Sequence, residues 1–262
     1  MPYQTKISVI TICRNAENLI RNTMLSVLDQ SYQSIEYIIV DGCSTDETLT
    51  VVNEVLKEYP SRTVSVISEP DKGIADAMNK GIRLATGEVI IHLHAGDRFV
   101  DSSMIEKVMN SYQQENWRWA VAGSIVVDSA GHETHVYRAH PDPQTLLSKN
   151  CIPHQSTFLQ KTIFDVHGMF DVDYKQAMDY ELWLRFVFQG GERYVVLPFD
   201  TTYFLDGGRS ANILELLRYL RRLRKALHRY RCNVHPLSDV IFLLRVLVFH
   251  YYYTLKKRWI SL

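Results

Sequence analysis

Four short apolar runs constrain this chain most, because each gives way at once to a polar loop. They are Lys6–Ile12 (KISVITI), Ile35–Val40 (IEYIIV), Val64–Ile67 (VSVI) and Val89–Leu93 (VIIHL). Runs this short and this rich in β-branched residues read as strands, and Val89–Leu93 as one buried on both faces. Helical patterns separate them. Leu19, Ile20, Met24, Val27 and Leu28 mark a helix over Ala16–Asp29. Ser44 and Glu47 have capping-box spacing and predict a helix running to about Tyr59. Ile74, Ala77, Met78, Ile82 and Ala85 mark a third helix over Ile74–Leu84, which Thr86-Gly87 ends with a glycine suited to a left-handed terminal residue. Strand and helix in alternation imply an α/β fold, a mostly parallel doubly wound sheet with right-handed crossovers.

Beyond the fourth run, a helix is expected at about Ser102–Glu115, a strand at Trp119–Val127 and a turn at Asp128–Gly131. Another helix opens at Met178, with Leu182, Trp183, Phe186 and Val187 on its apolar face. With 262 residues, 46% of them hydrophobic, the chain suits one catalytic-size domain over residues 1–210 and an appendage over 211–262. The total charge of zero hides a division. Residues 209–262 hold 12 Lys+Arg against 2 Asp+Glu, a net of +10, so residues 1–208 carry a net of −10. A basic tail of this kind points to an anionic partner.

In open α/β sheets, ligands sit beyond the carboxyl ends of the strands. The loops there are Thr11–Asn15, Asp41–Asp46 and His94–Asp97. No G-x-G-x-x-G follows the first strand and no P-loop is present, which argues against a dinucleotide dehydrogenase and a P-loop NTPase. What remains is a mononucleotide site read by carboxylates and amides. Each residue also has a plain structural alternative: Asp41 as a loop carboxylate binding nearby N–H groups, Arg14 as a solvated charge, His94 as a hydrogen-bonded strand-end residue.

SVITICRN, IIVDGCSTDET, DKGIADAMNKGIRLATGEVIIHLHAGD, HQSTF, DYELWLR and DGGRS, in that order, resemble the inverting, GT-A-fold glycosyltransferases of the family-2 type. Within that family they are similar to bacterial enzymes of exopolysaccharide, colanic acid and lipopolysaccharide assembly. The resemblance covers residues 6–210. It implies a GT-A (nucleotide-diphospho-sugar transferase) fold and a nucleotide-sugar donor, most commonly with uracil as the base. Thr11, Arg14 and Asn15 would form the first nucleotide loop, Asp41 would accept the base imide N–H, and Asp71 and Lys72 would line the nucleoside. Asn79 falls in the helix motif, although Met78 stands where the family often has Arg. His154 and Gln155 match the loop beneath sugar and acceptor. Gly207, Gly208 and Arg209 match a glycine-rich loop closing on the diphosphate, with an ordinary Gly-Gly turn as the alternative.

The family's D-x-D motif holds Mn²⁺ or Mg²⁺ on the diphosphate; here the aligned triplet is Ala95-Gly96-Asp97, so only Asp97 remains as a metal ligand. A hard cation can still use one carboxylate, two phosphates and waters. The resemblance makes Asp179 the general base, which inversion requires. Capping its helix is the alternative role, and Glu181 is a competing base. Rival readings are a non-catalytic nucleotide-sugar-binding or assembly protein, and a nucleotidyltransferase.

In the tail, Ile213–Tyr230 has apolar Ile213, Leu216, Leu217, Leu220, Leu223 and Leu227 facing Arg218, Arg221, Arg222, Lys225 and Arg229. Such a helix reads as binding an anionic membrane surface. Leu237–Leu255 is apolar but interrupted by Asp239, Arg245 and His250, which favours lying in the interface over spanning it. Packing on the catalytic domain or on a second copy is the alternative. No nucleic-acid motif accompanies the charge. Four cysteines without a C-x-x-C pair and an N-terminus without signal-peptide features suit a reducing cytoplasm. The expected location is therefore the inner face of a bacterial plasma membrane, held peripherally, with a saccharide or polyprenyl-diphosphate-linked acceptor.

Overall fold

The computed structural model describes residues 4–140, 142–147, 149–205 and 244. The four runs form β1 (Ile7–Cys13), β2 (Ile35–Asp41), β3 (Val64–Ser68) and β4 (Val89–His92), paired in parallel in the order β3-β2-β1-β4. Between them run α1 (Ile20–Leu28), α2 (Thr48–Glu58) and α3 (Ile74–Leu84). The second half adds β5 (Arg98–Phe99), α4 (Met104–Glu115), β6 (Trp119–Val127), β7 (Glu133–Tyr137), β8 (Thr157–Gln160), α5 (Thr162–His167), α6 (Met178–Leu184) and β9 (Val195–Leu205). β8 inserts antiparallel between β4 and β6, β9 lies parallel to β6, and β5 and β7 pair antiparallel to β9 and β6. β1 to β4, β6 and β9 thus all run one way, the mostly parallel sheet expected of the α/β class.

Both faces are covered over β1, β2 and β4, which is why these strands show no polar alternation, whereas β3 lies at the sheet edge and is half-buried to exposed along its length. Ile10, Ile38 and Ile90 point toward Ala77, Met78 and Ile82 of α3 and toward Trp119 and Trp183. Val9, Ile39 and Ile91 point the other way, toward Ile20, Met24 and Val27 of α1, Val52 and Val55 of α2, and Val108 of α4. Each such aliphatic side chain contributes roughly 1.5–3 kcal/mol on burial.

Three local expectations change. The first helix begins at Ile20, not Ala16, because Thr48 Oγ1 takes the Ala16 N–H at 2.7 Å and residues 17–19 form a turn. No capping box forms on α2. The Ser44 hydroxyl turns to Asp41, and Asp46 Oδ1 accepts the Thr48 N–H at 3.1 Å instead. Gly87 is not left-handed; α3 ends in extended Ala85. Close approach requires the glycine, since a Cβ there would lie 2.6 Å from the Ser8 nitrogen.

Candidate active site at the carboxyl edge of the sheet

The loops after β1, β2 and β3 meet at one corner. Asp41, the last residue of β2, is fully buried and accepts the Ser44 N–H at 3.0 Å, the Ser68 hydroxyl at 2.6 Å and the Ser44 hydroxyl. Cys13 Sγ lies 3.8 Å from its other oxygen, and burial followed by the Asp41 charge pushes that thiol up to about 12. Gly42 leaves room beside it. A Cβ there would stand 2.2 Å from Asp71 Oδ2 and 3.4 Å from Arg14 Cδ, so Arg14 and Asp71 converge on this bare stretch of backbone. Asp71 is held by the Gly73 N–H at 2.8 Å, while Lys72 is exposed. Asn15 clasps the first two loops: its Oδ1 accepts the Thr45 N–H at 2.8 Å and its own N–H donates to Ser44 Oγ. Arg14, Asp71 and Gly42 thus form a surface against which a planar group can lie.

Not all the expected residues reach that surface. Thr11 is fully buried within β1, where its hydroxyl donates to the Leu93 carbonyl at 2.7 Å and pairs with Tyr37 at 3.0 Å. Asn79 spends both amide arms on the Phe170 backbone, at 2.8 and 3.0 Å, fastening α3 to the loop before α6. Gln155 donates to Ser124 Oγ at 3.0 Å, inside a buried hydroxyl network with Thr202 and Ser156.

The loop after β4 presents Asp97. It is 6% exposed, and desolvation pushes its carboxyl up to about 7 against main-chain hydrogen bonds at Leu205 and His94. Thr23 on α1 holds this loop from below. Its hydroxyl donates to the Asp97 carbonyl at 2.7 Å and accepts the Gly96 N–H at 3.0 Å. Thr23 has a signal in the sequence, a hydroxyl at a core position of an apolar stripe, between Ile20 and Met24. Gly207, Gly208 and Arg209 lie outside the described residues; Leu205, at the end of β9, carries the chain to Asp97.

Behind Asp97, His92, His94 and His154 form a cluster with ring centroids 5.1 to 6.1 Å apart. Burial pushes each to about 3, so all three are neutral at pH 7. His94 Nδ1 and both His154 ring nitrogens have no hydrogen-bond partner among the described residues. The cluster is also no metal cage, since no group of three His, Cys, Asp or Glu among the described residues could hold an ion.

Asp179 stands in the first turn of α6, preceded by Ala177 in the left-handed region at φ 50°. For a residue with a Cβ this is a strained conformation, of the kind found at functional sites. Trp183 locks the helix in place, its ring 5.2 Å from Trp119 and 5.9 Å from Phe186. Burial raises the Asp179 carboxyl above its ordinary value, opposed by hydrogen bonds from the main chain and Asn150. Glu181, the competing base, is tied up: Arg185, one turn further along the helix, donates to it at 2.6 and 3.1 Å, and the same guanidinium donates to the His167 and Met169 carbonyls. Sequence reasoning also missed Asn150, Tyr137 and Ser68, which lie in loops and strands with no motif.

Residues 8–177 match the profile of "Glycosyl transferase family 2". The chain belongs to glycosyltransferase family 2. The matched span stops short of Asp179, so the geometry around that residue carries its own weight. A PGL/p-HBAD biosynthesis glycosyltransferase of Mycobacterium bovis is 27% identical over 178 residues, 68% of each chain. The UDP-Glc:alpha-D-GlcNAc-diphosphoundecaprenol beta-1,3-glucosyltransferase WfaP of Escherichia coli is 29% identical over 243 residues, 86% of this chain and 90% of that one. S. aureus TarS in complex with UDP-GlcNAc shares the fold at TM-score 0.68 and 15% identity, over 92% of this chain and 71% of that one. The mannosyltransferase PcManGT of Pyrobaculum calidifontis, in complex with GDP-Man and Mn²⁺, does so at 0.65 and 18%, over 92% and 69%. The family-2 site here offers a divalent ion one buried carboxylate. That fits an ion bound jointly by Asp97, phosphates and water, as Mg²⁺ commonly is, better than an all-protein cage.

Proposed function

We propose that this family-2 glycosyltransferase moves a sugar, with inversion, from a nucleotide-diphosphate sugar to a saccharide or polyprenyl-diphosphate-linked acceptor in cell-surface polysaccharide synthesis. A uridine nucleotide is the expected donor. The observation that carries the reading is the division of labour among the carboxylates. Asp41 is saturated by serine donors and Glu181 is ion-paired, whereas the buried Asp97 and the half-buried Asp179 have no cationic partner among the described residues. The base would lie against Arg14, Asp71 and Gly42, with Lys72 at the rim and Asp41 and Asn15 shaping the loops. Asp97 would hold Mn²⁺ or Mg²⁺, which as a Lewis acid neutralises charge on the departing diphosphate. Asp179 would take the proton of the acceptor hydroxyl as that oxygen attacks the anomeric carbon in line. Gly207, Gly208 and Arg209 would close over the diphosphate, continuing from the Leu205 contact with Asp97.

The basic tail supports peripheral attachment to the anionic inner face of a bacterial plasma membrane, with self-association through the C-terminal helices as the other use of those segments. Among the described residues no helix is long and apolar enough to cross a membrane, and Ile213–Tyr230 and Leu237–Leu255 lie outside them apart from Leu244. Deleting residues 213–262 should abolish binding to anionic liposomes; undiminished binding would refute the attachment.

The test of activity is nucleoside-diphosphate release from UDP-glucose, UDP-N-acetylglucosamine and GDP-mannose, with Mn²⁺, Mg²⁺ or EDTA. Release from one donor, lost in EDTA, in Asp97→Asn and in Asp179→Asn, is expected. Pyrophosphate as the product would indicate a nucleotidyltransferase, and donor binding without turnover, with lipid-linked acceptor supplied, would indicate a binding protein.

A further inference from the structure

A strut of hydrogen bonds reaches Asp179 from outside its helix. Asn150 Nδ2 donates to Asp179 Oδ2 at 3.1 Å, and Asn150 Oδ1 accepts the Ile152 N–H at 3.2 Å. An amide carries its donors on one arm and its acceptor on the other, so the Ile152 bond fixes which arm faces the carboxylate. The Asn150 carbonyl accepts the Tyr137 hydroxyl at 2.5 Å, which anchors the segment to β7. A carboxylate has about four lone-pair sites, so Oδ2 held by one amide leaves capacity for an acceptor hydroxyl.

We propose that Asn150, braced by Tyr137, is the positioning residue for the base, setting both the orientation of the Asp179 carboxylate and its readiness to ionise. The proposal rests on the reading of Asp179 as base. Among the described residues, the groups that act on that carboxylate or feel its charge come from α6, the loop that carries Asn150 and β7. From α6 come main-chain hydrogen bonds at Asp179 and Tyr180 and from the loop the Asn150 amide, while the Tyr137 phenol of β7 feels the Asp179 charge. Burial raises the carboxyl and the Asn150 hydrogen bond opposes it. The Tyr137 phenol is raised by burial and then by the Asp179 charge, so phenol and carboxylate lie within electrostatic reach. A base kept from solvent is protonated too easily unless a donor steadies its anion, and Asn150 supplies that donor without adding charge.

Asn150→Ala and the milder Tyr137→Phe are compared with the parent and Asp179→Asn. One readout is the ¹³C resonance of the Asp179 carboxyl in aspartate-labelled protein, assigned by its loss in Asp179→Asn. The other is the pH profile of nucleoside-diphosphate release from whichever of the three nucleotide sugars named above the parent hydrolyses. In Asn150→Ala the carboxyl should titrate at higher pH, kcat at neutral pH should fall about tenfold or more, and the acidic limb of kcat/KM should move up, with donor KM within about twofold of the parent. Tyr137→Phe should show smaller changes in the same directions. An unmoved Asp179 titration in Asn150→Ala, or a loss confined to donor KM, overturns the positioning role. Parental turnover in Asp179→Asn overturns instead the base reading on which it rests.

Discussion

Asn79→Ala separates a structural amide from a donor-binding one. The side chain is 5% exposed, and its two arms close a ring with the Phe170 N–H and carbonyl, at 3.0 and 2.8 Å, across 91 residues of chain. Alanine leaves both backbone groups buried without partners. Each such group costs about 1–3 kcal/mol, so the pair costs about 2–6 kcal/mol, a large share of the roughly 5–15 kcal/mol that holds a domain folded. At roughly 2–4 °C per kcal/mol for a domain of this size, a loss near ~3 kcal/mol lowers the melting temperature by about 6–12 °C. Thermal unfolding followed by circular dichroism reads this directly, and calorimetric titration of UDP at low temperature reads the nucleotide site. The expected result is a lowered melting temperature with UDP affinity nearly unchanged. An unshifted melting temperature together with lost UDP affinity would refute the assignment and return Asn79 to the donor site.

Gly87→Ala drives a Cβ against the backbone of Ser8 and Ile7; it should cost about 1–3 kcal/mol of stability in denaturant titrations and leave donor KM unchanged. Thr23→Val removes the hydroxyl that gathers the Gly96 N–H and the Asp97 carbonyl, and should weaken Mn²⁺-dependent donor binding measured by calorimetry more than it lowers melting temperature. Asp97→Asn should give the opposite stability pattern. The folded-state carboxyl is raised to about 7 from an unfolded value near ~3.9, so the parent loses stability as pH rises between the two. Without metal, the asparagine variant should therefore unfold at higher denaturant than the parent at about pH 8, and the gap should close below about pH 3.5. Because the Asp179 carboxyl is raised and must be ionised to act, kcat/KM should fall as pH drops through a midpoint above the ordinary carboxylate range.

The parallel half of the sheet was legible because β1, β2 and β4 are buried on both faces, the edge strand β3 keeps a short β-branched run, and each is followed by a loop of different chemistry. β1 to β4 therefore announce themselves by composition alone, and α3 appears with the bounds its periodicity gives. Helix starts were less legible. Ser44 has the residue type of a cap, but the buried Asp41 carboxylate, three residues back at the end of β2, makes a stronger claim on its hydroxyl. The same competition explains Asn79, Thr11 and Gln155. Their residue types fit a polar site, yet each amide or hydroxyl is drawn to backbone or hydroxyl partners brought from distant segments, which spacing cannot reveal. Asn150 and Tyr137 were invisible for the converse reason, since nothing beside them in sequence hints that the fold delivers them to Asp179.

What distinguishes Asp97 and Asp179 from the other acidic side chains is the character of their partners. Asp41 and Glu181 meet several donors or a guanidinium, which satisfies a permanent anion and leaves little for a ligand to add. Among the described residues, Asp97 has main-chain hydrogen bonds alone, and Asp179 has main-chain bonds and one neutral amide, in surroundings that disfavour charge. A carboxylate held this way gains most from what a reaction brings to it, a cation in one case and a proton in the other. Holding both without a counterion among the described residues is the physical reason to propose the chemistry at these two residues rather than at their better-satisfied neighbours.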